Sequence, residues 1–116
     1  MKLELRENIY VRTKDGIIAK VDYIDDNTIF FDKDLYRTYG DSIDFLEKDN
    51  LERIIKASYS IIDILEVGDY VNGLYINSID KEEGTVICYT STFFEEDIMT
   101  IITHEQMEQI AYKVEE

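Results

Sequence analysis

The stretch Ser60–Gly73, SIIDILEVGDYVNG, decides how this chain is read, because it separates two halves of similar pattern. Ser60 is of a residue type that caps helix N-termini, and Ile61, Ile62 and Leu65 give the apolar spacing of one short helix. Gly68 can end that helix, and Gly68-Asp69 can turn the chain into a new strand at Tyr70.

Outward from this hinge, both halves show strand-sized apolar runs broken by turn residues. The first half reads as strand Ile9–Thr13, a hairpin turn at Lys14-Asp15-Gly16, and a return strand Ile17–Ile24. Simple alternation places Ala19, Val21 and Tyr23 on one face of that strand and Ile18, Lys20, Asp22 and Ile24 on the other. Thr28–Asp32 is a third strand, Lys33–Asp44 a loop with a short strand at Leu35–Thr38, and Ile43–Glu47 another strand. Leu51, Ile54 and Ile55 are spaced by three and four, which predicts an amphipathic helix over Lys48–Lys56.

The second half reads as Tyr70–Asn72, a turn at Gly73, Leu74–Asp80, a turn at Lys81–Gly84, and Thr85–Thr90. An acidic loop, Ser91–Asp97, leads to strand Ile98–Ile102. Thr103-His104-Glu105-Gln106 fits a capping box, so a helix is expected over Gln106–Ile110, with Ala111–Val114 as a closing strand. The halves overlay with offsets of 60 at Tyr10-Val11, 58 at Ile29–Phe31 and 56 from Leu46 to Ile54. The expected fold is mainly β: two tandem SH3-like small barrels, residues 1–58 and 59–116, each ending in a short helix and packed as one globule. Half of 116 residues buries too little apolar surface to stand alone.

Charge is lopsided. The net charge is −14, of which residues 1–58 carry −3 and residues 59–116 carry −11. Such a surface repels nucleic acid and attracts basic partners. The single cysteine, Cys88, excludes an internal disulfide and fits a reducing compartment. A charged start and no long apolar run point to a cytoplasmic protein without signal peptide or membrane span.

His104 is the only histidine, so neither a catalytic constellation nor a zinc site is expected, and it should be exposed at the start of its helix. Asp32-Lys33-Asp34 lacks the remaining ligands of a calcium loop, so no metal and no cofactor are expected. Glu82, Glu83, Glu95, Glu96 and Asp97 are solvated turn residues on the simplest view; gathered on one face, they would suit a groove of Lys and Arg. Tyr36, Tyr39, Phe93 and Phe94 fall in loops beside carboxylates, the setting of interface anchors. These nine residues form the candidate partner-binding set.

IYVRTKDGI near the start, SIIDILEVGDYVNG in the middle and ITHEQMEQIAYKV near the end together resemble small acidic proteins of phages and prophages in low-GC bacteria. The motifs describe turns and a capped helix, and they carry no functional residues over. Because some small acidic proteins of such origin are anti-CRISPR or other anti-defence inhibitors, the resemblance implies a non-enzymatic inhibitor. It would act in the host cytoplasm on a basic host protein such as a CRISPR effector, without binding nucleic acid itself. The alternative is a structural or regulatory phage module mediating protein–protein assembly. Self-association as a homodimer is compatible with either.

Overall fold

Strand β1 (Tyr10–Thr13) is buried along its whole length, and alternation explains how. Val11 points into an apolar cluster of the first half with Ile17, Ala19, Val21, Ile29, Phe31, Leu46 and Ile54. Its neighbour Tyr10 points the other way, into a cluster with Ile18, Ile61, Ile64, Val71, Ile76, Val86 and Ile101. One strand therefore lies between two cores. The structure, a computed structural model, describes residues 5–32, 37, 38 and 43–114, with side chains for 5–32 and 43–109.

The remaining elements follow in order. They are β2 (Ile18–Ile24), β3 (Thr28–Asp32), β4 (Arg37–Thr38), β5 (Phe45–Glu47), a 3-10 turn (Lys48–Arg53) and β6 (Ile54–Ser58). After α1 (Ile61–Ile64) come β7 (Tyr70–Val71), β8 (Leu74–Asp80), β9 (Thr85–Cys88) and β10 (Thr92–Phe94). A 3-10 turn (Glu95–Asp97), β11 (Thr100–Ile102) and α2 (His104–Val114) complete the chain.

The strands form two sheets packed as one globule. The first has the order β5-β3-β2-β1-β6 and is antiparallel throughout. The second has the order β10-β9-β8-β7-β11, with β4 added in parallel beside β11. The first five positions of the two sheets match strand for strand. Even the bulge recurs: register shifts between Val21 and Tyr23 in β2 and between Ile76 and Ser78 in β8.

Several expectations are corrected. The sheets are open, with β5 and β6 at the edges of the first, so the described strands do not close into two SH3-like barrels. Lys48–Lys56 is not one amphipathic helix: Lys48–Arg53 forms a 3-10 helix kinked at Asn50, and the chain then enters β6, where alternation buries Ile54 and exposes Ile55. Phe93-Phe94 lie on strand β10 rather than in a loop. Backbone helix runs through Ala111–Val114, where a strand was expected. The bulge after Val21 moves Tyr23 to the solvent face, away from Ala19 and Val21. The offset of 58 is one residue out, since Phe31 opposite Val21 occupies the place of Cys88 opposite Ile76. The short strand expected at Leu35–Thr38 is described only at Arg37–Thr38, where it joins the second sheet.

The β1–β2 hairpin meets the start of α2. Gly16 has φ +84, and a Cβ there would lie 2.2 Å from Thr103 Oγ1 and 2.8 Å from the Glu105 Cβ. Thr103 Oγ1 donates to the Gly16 carbonyl at 2.8 Å, so this close approach is also a bond between the halves. Gly84 has φ +71 but faces open space. Gly16→Ala should therefore cost about 2–4 kcal/mol and Gly84→Ala about 1 kcal/mol, measured by urea denaturation. Equal costs would mean that the turn conformation alone matters.

Candidate functional site

Arg12 shares the inward face of β1 with Tyr10, which aims it at the second half. Its side chain is fully buried. Nη1 donates to Asp69 Oδ2 at 2.6 Å and to the Ile64 carbonyl at 3.1 Å, while Nη2 donates to Asp69 Oδ1 at 3.0 Å. Nη2 also donates to Glu105 of α2. Nε lies 3.6 Å from Glu66 Oε2 but makes no hydrogen bond. Burial disfavours the charged guanidinium, yet the bonds to Asp69 and Glu105 outweigh it and raise the pKa above its ordinary value.

Asp69 is saturated. Besides Arg12 it accepts the backbone N–H of Glu66 at 2.7 Å and that of His104 at 2.9 Å. One carboxylate thus fixes the turn after α1, the start of α2 and a strand of the other sheet. The capping box forms as expected: Thr103 N–H donates to Gln106 Oε1 at 3.1 Å, and Gln106 N–H to Thr103 Oγ1 at 3.4 Å. Ser60, by contrast, makes no side-chain cap; Glu95 accepts the Ile61 N–H at 3.2 Å instead.

His104 is half-buried rather than freely exposed. Its Nε2 bonds Glu66 Oε1 at 2.8 Å and lies 3.3 Å from Glu105 Oε1. The bond to Glu66 raises the imidazole pKa; partial burial and the charge of Arg12 oppose this, and the charges of Glu105 and Asp69 add to it. Partial burial pushes the Glu66 carboxyl up, but His104, Lys56 (2.9 Å) and Arg12 outweigh it and hold it at about 2. Glu66, His104 and Glu105 place ligand atoms within 4.8 Å of one another, so these are the described residues that could hold a metal ion. Their carboxylates already neutralise Arg12 and Lys56, which an ion would have to displace. Among the described residues, His104 bonds carboxylates, Asp69 through its backbone N–H and Glu66 through Nε2, and Cys88 is buried in the second core.

The acidic candidates lie elsewhere. Strand register pairs Asp80 with Thr85 and Thr85 with Phe94. The Lys81–Gly84 turn and the Glu95–Asp97 turn therefore leave the second sheet at the same end. Glu82, Glu83, Glu96 and Asp97 are exposed there, and Glu95 is half-buried against α1. None of these five forms an ion pair among the described residues, although Lys81 shares the end with them. The acidic loop is braced by Asn72, which has φ 52. Asn72 donates to the Asp97 carbonyl at 2.8 Å and accepts the N–H groups of Met99 and Thr100 at 2.8 and 3.1 Å. Phe94 is 47% exposed at this end, while Phe93 packs on the second core. Tyr36 and Tyr39 lie outside the described residues.

No family model, no curated protein and no solved structure matches this chain. No helix among the described residues is long and apolar enough to cross a membrane.

Two outcomes test the buried cluster. Arg12→Met strands Asp69 without its cation and should cost about 3–5 kcal/mol in urea denaturation; adding Asp69→Asn should restore part of it. A loss that the second change only deepens would contradict the pairing. For pH, the raised pKa of His104 means its stabilisation is full below the ordinary value of 6.5 and fades as pH rises through the folded value. Glu66 behaves oppositely, contributing above 4.5 and losing its contribution as pH falls toward about 2. The stability gap between wild type and His104→Gln should therefore be full below pH 6.5 and narrow as pH rises through the raised folded value. A constant gap would contradict the ion pair.

Proposed function

We propose that this chain is a non-enzymatic acidic binding protein of the phage type, working in the host cytoplasm. It inhibits a host defence protein, in the manner of an anti-CRISPR protein, by occupying a basic channel made for nucleic acid. The observation that carries this reading is the shared end of the second sheet, where Glu82, Glu83, Glu95, Glu96 and Asp97 gather beside exposed Phe94. A braced array of carboxylates around an aromatic anchor gives a basic groove both long-range attraction and a desolvated contact. Part of the acidic excess is used internally, since Glu66, Asp69 and Glu105 neutralise Arg12 and Lys56. Glu82, Glu83, Glu96 and Asp97 remain exposed at this end of the sheet, and Glu95 stands beside them against α1.

Exposed Tyr89 and Met99, at 92% and 71%, favour a second reading, a structural or regulatory assembly module. The two separate cleanly. Binding to a candidate effector should weaken steeply with added salt, and replacing the five carboxylates by amides should flatten that dependence while leaving the fold intact. Affinity indifferent to both salt and replacement would favour the assembly module.

A further inference from the structure

The first sheet carries a surface that the acidic end of the second does not include. Strand register pairs Tyr23 with Phe30 and Phe30 with Phe45, across β2, β3 and β5. The rings form a ladder: Tyr23 stacks on Phe30 at 4.5 Å and 15°, and Phe30 meets Phe45 at 6.4 Å and 44°. Its ends are open, with Tyr23 48% and Phe45 55% exposed. The β2 bulge produces this arrangement, because without it Tyr23 would join Val21 in the core. Three aromatic rings on a solvent face, at the open edge strand β5, form an apolar patch that a fold alone does not need.

Charge identifies the occupant. Glu47, two residues from Phe45, lies on the same face as the ladder, and Asp22 is exposed beside Tyr23. Beyond Glu47, an open cleft of about 350 Å³ is lined by Glu47, Asp49 and Lys48, with Asn27 and Thr28. Among the described residues, Asp22, Glu47 and Asp49 thus outnumber the nearby cations Lys20 and Lys48. Nucleic acid, which also stacks on aromatic ladders, is repelled by these carboxylates and by the net charge of −14. A second copy of the chain brings the same negative charge and is disfavoured for the same reason.

We propose that the Tyr23–Phe30–Phe45 ladder is a docking surface for an arginine-bearing segment of a partner protein. A guanidinium plane can lie on an aromatic ring and hydrogen-bond a flanking carboxylate in the same pose; a lysine ammonium matches this combination less well. The surface is separate from the acidic end of the second sheet and does not depend on the function proposed above.

The test uses the full chain with two synthetic probes of equal charge, an octa-arginine and an octa-lysine peptide, followed by amide chemical shifts. Octa-arginine should bind several-fold more tightly than octa-lysine, with shifts centred on Tyr23, Phe30 and Phe45. Tyr23→Ser with Phe45→Ser should abolish that preference while leaving the far-ultraviolet spectrum and melting unchanged. The amide replacements at Glu82, Glu83, Glu95, Glu96 and Asp97 should preserve it, so failure here is distinct from failure of the inhibitor reading. Equal affinity for the two peptides, or a preference that survives the double replacement, would overturn the proposal. So would a dimer in sedimentation that the double replacement dissolves, since a second copy would then be the occupant. If the double variant fails to fold, Phe45→Ser alone, at the sheet edge, gives the same reading: loss of the preference supports the site, and its retention contradicts it.

Discussion

A guanidinium without water needs its partners placed in advance, and in this protein they come from the other half of the chain. Arg12 projects from β1 and finds Asp69 in two parallel bonds, with further bonds to the Ile64 carbonyl and Glu105. Removing both charges from water costs several kcal/mol each, a cost offset only when the geometry is kept. The sheets therefore have little freedom to slide: a small displacement would leave a buried charge unpaired. Apolar contacts between Tyr10, Ile18 and the second core supply attraction, which is non-directional; Arg12 supplies the register.

The matching strand order of the two sheets explains how one residue can do this. Each sheet has its long hairpin in the middle, then an edge strand, a 3-10 turn, a strand beside the first, and a helix. In both, the helix lies after the strand that flanks the first hairpin strand. The equivalences break where chain is added or removed in turns: residues 14–17 bridge the first hairpin, and Asn72-Gly73 the second. Since the first hairpin is longer, Gly16 reaches α2 and the halves interlock.

Much of this was legible in the residues, and the failures have physical causes. Strand alternation and turn residues identified both central hairpins, and THEQ identified the start of α2. The spacing of Leu51, Ile54 and Ile55 suited a helix, but over so few residues it also suits a turn entering a strand, and burial of Ile54 in the first core decided it. A bulge leaves no mark in alternation, so Tyr23 was placed on the wrong face, and with it the aromatic ladder was hidden. The partners of Arg12 are 52 to 93 residues away, beyond any local pattern. An arginine inside the apolar run IYVRT was the available signal, because such a residue is buried only with partners. The acidic turns were visible as sequence; their meeting at one end of the sheet needed the register.

Both surfaces, the acidic end of the second sheet and the aromatic ladder of the first, keep their relative places only if the halves behave as one body. Native-state hydrogen exchange on β2 and β8, one central strand from each sheet, tests this most directly. Amides of both strands should open with the same free energy, equal to that of global unfolding. Exchange of β8 through an opening that leaves β2 protected would contradict it, because the halves would then be held by something weaker than the buried Arg12.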